Sequence, residues 1–210
     1  DGIQVTTAQG EKLSAEVIGT DAAMDIAVLR VEAQGKVLPS AELGDSSTLE
    51  IGDWVVAIGN PLGLSHTVTS GIVSALGRSS PGSTQSFTDY IQTDAAITWG
   101  NSGGPAFNLK GEVIGVATFI STTLEGDQAI QGFNFLIPID SIHAVAKQLG
   151  VTPSTDSPFT RAWDQAVEAF IAGRYAEVIT HAEEADKIVP GLIDVRRTIA
   201  RVRQLMGAKP

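Results

Sequence analysis

The chain has 210 residues, 43% hydrophobic and 18% charged, enough apolar material for one ordinary domain with a small appendage or for two small domains, and too much for global disorder. A formal net charge of −10 disfavours nucleic acid and anionic membranes as partners. Cysteine is absent, so disulfides, thiolate catalysis and Cys-based zinc sites are excluded, and no apolar stretch approaches membrane-spanning length. The first residue is Asp1 and the sequence opens inside a strand pattern, so it reads as a piece of a longer product.

Ile3, Val5 and Thr7 alternate, then Leu13, Ala15 and Val17, with Gln9-Gly10-Glu11 between, which predicts a hairpin with one buried face. Strands are predicted over 26–31, 54–58 and 67–76, the last with a bend at Gly71, and then over 90–93, 113–118 and 133–137. Residues 78–88 form a Ser/Gly/Pro loop. Short strands separated by turn signals imply a barrel or sandwich. At Pro138 the pattern turns helical: Asp140 can cap a helix that carries Ile142, Val145, Ala146 and Leu149 on one stripe, and Gly150 can end it. Residues 151–158 read as a linker. Beyond it Trp163, Ala166, Val167 and Phe170 form one helical stripe, and Val178, Ile179, Ala182 and Ala185 a second after the Gly173-Arg174-Tyr175 turn. Ile193, Val195, Ile199, Val202 and Leu205 form a third after Pro190-Gly191. β-structure first and α-structure after argues for two units, 1–150 and 159–210.

The sharpest chemical signal is Gly100-Asn101-Ser102-Gly103-Gly104-Pro105. A serine between glycines can be presented on a tight loop, with backbone N–H groups turned toward a developing oxyanion. By itself such a string is equally an ordinary turn, and Asp25 on local sequence alone is a solvated turn carboxylate. The context is Asp21-Ala22-Ala23-Met24-Asp25-Ile26-Ala27-Val28-Leu29, then Ile58-Gly59-Asn60-Pro61-Leu62-Gly63, then Thr67-Val68-Thr69-Ser70-Gly71-Ile72-Val73-Ser74. Ile91-Gln92-Thr93-Asp94-Ala95-Ala96-Ile97 follows, then the serine loop, Asn108-Leu109-Lys110-Gly111-Glu112-Val113-Ile114-Gly115 and Gly132-Phe133-Asn134-Phe135-Leu136-Ile137-Pro138. In these motifs and their order the chain resembles the HtrA/Deg family of chymotrypsin-fold serine proteases, from about residue 3 to residue 150.

The resemblance implies a mainly β fold: a chymotrypsin-like double β-barrel with its first barrel incomplete, followed by a small α-helical tail. It implies a serine endopeptidase acting on unfolded or damaged proteins, without cofactor or metal. Ser102 is the implied nucleophile and Asp25 the acid that orients the catalytic imidazole. The oxyanion hole would be built at Gly100, Asn101 and Ser102, from the N–H groups of Gly100 and Ser102. Ala96 would lie at the base of the substrate pocket, with Thr118, Phe119 and Ile120 as its wall and as the strand that pairs with substrate. An uncharged Ala96 and a bulky Ile120 imply small aliphatic residues, Val, Ala or Thr, before the scissile bond. Resemblance further implies trimers and an extracytoplasmic location: periplasmic, secreted or membrane-anchored.

The chain departs from the family in three places. The triad runs His, Asp, Ser along the chain in this fold, yet no histidine precedes Asp25; the three histidines are His66, His143 and His181. Either the segment bearing the histidine lies upstream of Asp1, or the chain is an inactive relative acting as an interaction module. Trp99 places a bulky indole beside the oxyanion loop, and the loops at 78–88, 98–100 and 121–131 are expected to order on binding peptide. The tail, finally, is helical where many relatives continue into a PDZ domain. It resembles one tetratricopeptide-like hairpin with a capping helix, with Ala166, Gly173, Tyr175, Ala185 and Pro190 at positions suited to a repeat of about 34 residues. A helical appendage that packs on the barrel, or that mediates self-association or docking of a protein partner, is the other reading.

Overall fold

The opening alternation forms a hairpin in the computed structural model, which describes residues 2–60, 67–78, 89–98, 100–120, 132–151 and 158–207, apart from the side chains of Phe119, Ile120, Ile193 and Asp194. β1 (Ile3–Thr6) pairs antiparallel with β2 (Lys12–Asp21), Ile3 opposite Ala15 and Thr6 opposite Lys12. Thr7 N–H donates to Glu11 O at 2.8 Å and Gly10 N–H to Thr7 O at 2.9 Å, a closure that needs the positive φ of Gly10 (81°). β3 (Ile26–Val31) completes a three-stranded sheet in the order β1-β2-β3. Leu13 is buried there, whereas Ile3, Val17 and Leu29 are exposed.

Six further strands close into a barrel: β4 (Trp54–Gly59), β5 (Thr67–Arg78), β6 (Tyr90–Thr93), β7 (Pro105–Phe107), β8 (Val113–Ile120) and β9 (Asn134–Pro138), in the order β4-β5-β6-β9-β8-β7. Closure removes free strand edges. Val55, Val73, Ile91, Ala106, Ile114 and Leu136 fill the interior. β7 has no counterpart among the predicted strands: its three residues are too short for a periodic signal, and they hold because they pair with β4 on one side and β8 on the other. The irregular pairing of β5 falls between Val73 and Arg78 rather than at Gly71. Gly71 is instead a close approach, where a Cβ would overlap Ala95 N and the Asp94 carboxylate and stand 2.7 Å from Ala95 Cα.

α1 (Ile139–Gln148) follows β9 directly. Its N-cap is Pro138, not Asp140. Asp140 lies inside the first turn, where its Oδ2 accepts from Ser46 Oγ (2.8 Å) and Ser47 N–H (3.0 Å) of a short 3-10 turn. Gly150, at φ 72°, ends the helix as expected.

The tail contains α2 (Pro158–Ile171), α3 (Tyr175–Ile188) and α4 (Ile193–Gly207), with Gly173 at φ 72° between the first two. Ala162, Ala166 and Ala169 pack against Val178, Ala182 and Ala185, and Val195, Ile199 and Val202 complete the core. The buried face of α2 is rotated from the predicted stripe, because the small alanines let the helices approach closely; Val167 and Phe170 are left exposed. By packing, Asp1–Ile18, Leu29–Ala41 and Ser154–Pro210 gather into one compact unit, and Gly19–Val28 with Glu42–Pro153 into another.

Candidate active site

The site lies in the unit that contains the barrel. Asp21 Oδ1 accepts the N–H groups of Ala23 and Met24, each at 3.0 Å, and this turn leads into Asp25. Asp25 itself stands at φ 57°, a left-handed conformation that aspartate tolerates better than most residues, immediately before β3. Its Oδ2 accepts the hydroxyl of Thr118 on β8 at 3.1 Å.

Ser102 sits on the loop between β6 and β7. Gly100 (φ 97°) and Gly103 (φ 83°) supply the left-handed turns on either side, which β-carbons would strain. Gly103 N–H donates to Ala117 O at 2.8 Å and Ala117 N–H to Gly104 O at 2.9 Å, so the loop is fastened to β8 in both directions. Ser102 is exposed, and its Oγ donates to Thr118 O at 3.0 Å. Thr118 therefore touches both predicted triad members, through its hydroxyl and through its carbonyl. The sequence points to Thr118 as pocket wall and substrate-pairing strand; its bond to Asp25 leaves no sequence signal, because the two are far apart along the chain.

Asn101 is buried, with its N–H on Thr98 O (3.0 Å) and its carbonyl accepting Gly104 N–H (2.8 Å), while its Oδ1 meets no donor among the described residues. Ala96 follows β6 with its side chain exposed. Its carbonyl accepts Thr69 Oγ1 at 2.8 Å, and the preceding Ala95 carbonyl accepts Nδ2 of buried Asn134 at 2.8 Å. Asp94 accepts Ile72 N–H at 2.7 Å. Asp21, Thr69, Asp94 and Asn134 thus hold the segments that carry Asp25 and Ala96. All four lie within the motifs quoted above; the bonds of Asp21 are local to its turn, whereas those of Thr69, Asp94 and Asn134 join residues distant along the chain and leave no local signal. Phe119 and Ile120 occupy the end of β8, with side chains outside the described residues, as are Trp99, His66, and residues 79–88 and 121–131 of the predicted mobile loops. His143 lies on α1 and His181 on α3, where its Nδ1 stands 3.9 Å from Glu184. Among the described residues no histidine hydrogen-bonds Ser102 or Asp25.

Ser102 on its glycine-framed loop and Asp25 before β3 thus meet at Thr118 of the barrel strand β8. The family model of the trypsin-like peptidase domain matches residues 1–116, and the chain belongs to that family. Its relatives are of the HtrA type. It is 50% identical over 149 residues to a probable periplasmic serine endoprotease, DegP-like, of Pseudomonas savastanoi pv. phaseolicola, covering 71% of this chain and 30% of that one. It is 45% identical over 159 residues to the putative serine protease HhoA of Synechocystis sp., covering 75% and 39%. Among solved structures, the HtrA-type protease AlgW with tripeptide superposes with a TM-score of 0.62 at 40% identity, covering 71% of this chain and 48% of that one. The chain thus spans about a third of the length of the curated relatives it matches.

Proposed function

We propose that the chain is the catalytic part of an HtrA-type serine endopeptidase, which cleaves unfolded or damaged proteins through an acyl-enzyme on Ser102. The observation that carries this is the convergence of Ser102 Oγ and Asp25 Oδ2 on the single residue Thr118. An imidazole seated between them takes the Ser102 proton as Oγ attacks the scissile carbonyl, and Asp25 stabilises the imidazolium. The N–H groups of Gly100 and Ser102 receive the oxyanion. The imidazolium proton passes to the leaving amine, and water then releases the acyl group and restores the Oγ proton. The histidine comes from sequence upstream of Asp1. The exposed Ile3, Val17 and Leu29 of the three-stranded sheet support further strands packing there.

Residues 1–150 form the protease domain, 151–158 the linker and 159–210 a tetratricopeptide-like tail. The compact units cross that boundary, since the first strands gather with the tail. Ala96 forms the base of a pocket for Val, Ala or Thr, walled by Thr118, Phe119 and Ile120. The periplasmic names of the relatives support an extracytoplasmic location, and family likeness supports a trimer. In the protein including its upstream sequence, Ser102 is expected to label with a fluorophosphonate probe, and Ser102→Ala to lose both labelling and casein cleavage. Cleavage that survives in Ser102→Ala would move the nucleophile elsewhere. A wild-type protein that neither labels nor cleaves would be a binding module.

A further inference from the structure

The tail helices bury one face and leave another open. Their shared core takes Phe159, Ala162, Ala166 and Ala169 from α2, with Trp163 packed at its margin, and leaves Val167 and Phe170 outside it. Val167 and Phe170 remain 41% and 45% exposed. With Trp163 they follow the i, i+4, i+7 spacing of one helix face and line a groove of about 330 Å³ against Val202 of α4. Arg197 and Arg201, one turn apart on α4, also line it.

These two arginines differ from their neighbours. Arg196 pairs with Asp186 at 3.3 Å and Arg203 with Glu183 at 2.6 Å. Arg201 donates to the Gln204 side chain at 3.2 Å, and neither Arg197 nor Arg201 meets a carboxylate among the described residues. In a chain of net charge −10, an apolar groove whose charged lining is wholly cationic is complementary to an acidic segment. A groove of this volume takes one or two side chains, which suits a short peptide segment.

We propose that the groove between α2 and α4 docks an acidic peptide segment of a partner protein. A bulky apolar side chain of the peptide inserts between Trp163, Val167 and Phe170, and its carboxylates pair with Arg197 and Arg201. The test is selection from a displayed library of random peptides on the full chain carrying Ser102→Ala. Enriched peptides are expected to combine Asp or Glu with Leu, Phe or Trp. The best of them should perturb Trp163 fluorescence once Trp54 and Trp99 are replaced by Phe. Arg197→Glu with Arg201→Glu should weaken it about tenfold or more, with helical circular dichroism unchanged, and a Lys-for-Glu version of the peptide should prefer that variant. No enrichment, enrichment of basic or purely apolar peptides, or binding indifferent to the arginines would overturn the proposal. So would concentration-dependent dimerisation of the chain that the same two substitutions abolish, which would assign the groove to a second copy.

Discussion

Asn101 shows how little room the serine loop has. Its side chain is 3% exposed and lies against Gly59, where a Cβ would overlap Oδ1 and stand 2.7 Å from Cγ. Gly104 is equally constrained: a Cβ there would overlap Ile58 O and stand 2.8 Å from Asn101 O. The loop keeps its shape because Gly59 at the end of β4 and Gly104 just before β7 admit it. Gly59→Ala is expected to cost about 1–3 kcal/mol of stability, as overpacking does, when measured by urea unfolding. The fluorophosphonate labelling rate of Ser102 in the histidine-bearing protein should fall further than any loss of folded fraction explains, because Asn101 must shift. Wild-type labelling by a folded Gly59→Ala protein would separate Gly59 from the site. The sequence singles out Ser102 and Asp25 because each stands in a contiguous motif. The Thr118 hydroxyl on Asp25 and the Asn134 amide on Ala95 are not legible there, since each joins residues far apart along the chain that only the folded structure brings together.

Elements were legible where a pattern repeats and illegible where a partner decides. The hairpin of β1 and β2 follows from alternation, whereas β7 exists through its two neighbours, and α2 buries the face of Phe159, Ala162, Ala166 and Ala169 rather than that of Val167 and Phe170. The start of α1 is a similar case, with its acid bonded across to the 3-10 turn Ser46–Thr48. That turn is capped by Asp45, whose Oδ1 accepts Ser47 Oγ (2.6 Å) and Ser47 N–H (2.9 Å). Hydrogen bonding from the Ser47 hydroxyl, then from its backbone N–H, holds the Asp45 carboxyl below the ordinary value of 3.8. A carboxylate whose folded pKa is depressed stabilises the fold above its unfolded pKa, and the contribution disappears as pH falls through the folded value. Asp45→Asn should therefore lower the melting temperature at pH 6, with the gap to wild type closing as pH drops from about 4 toward 2. A gap of constant size down to pH 2 would mean that the cap acts by shape and not by charge.

At the scale of the whole molecule, the order of motifs along the chain made the protease fold readable, while the gathering of its first strands with the tail was not, because β2 and β3 pass from one compact unit into the other. The tail helices and the six-stranded barrel each fill an interior of their own. Phe159, Ala166, Val178, Val195, Ile199 and Val202 belong to one cluster, and Val55, Val73, Ile91, Ile114 and Leu136 to another, with no residue in common. Packing energy lost in one interior is then not shared by the other, and segments of different local stability should open independently. Ile114→Ala and Ile199→Ala each remove a buried side chain and leave a cavity, at a cost of about 2–5 kcal/mol. Hydrogen exchange followed by mass spectrometry distinguishes the consequences. Ile114→Ala should speed exchange in β4, β5 and β8 and leave α2, α3 and α4 at the wild-type rate. Ile199→Ala should do the reverse, and its barrel should still present Ser102 in the same environment. Acceleration of all these segments by either substitution would show one cooperative interior, and the separate clusters would then have no thermodynamic meaning.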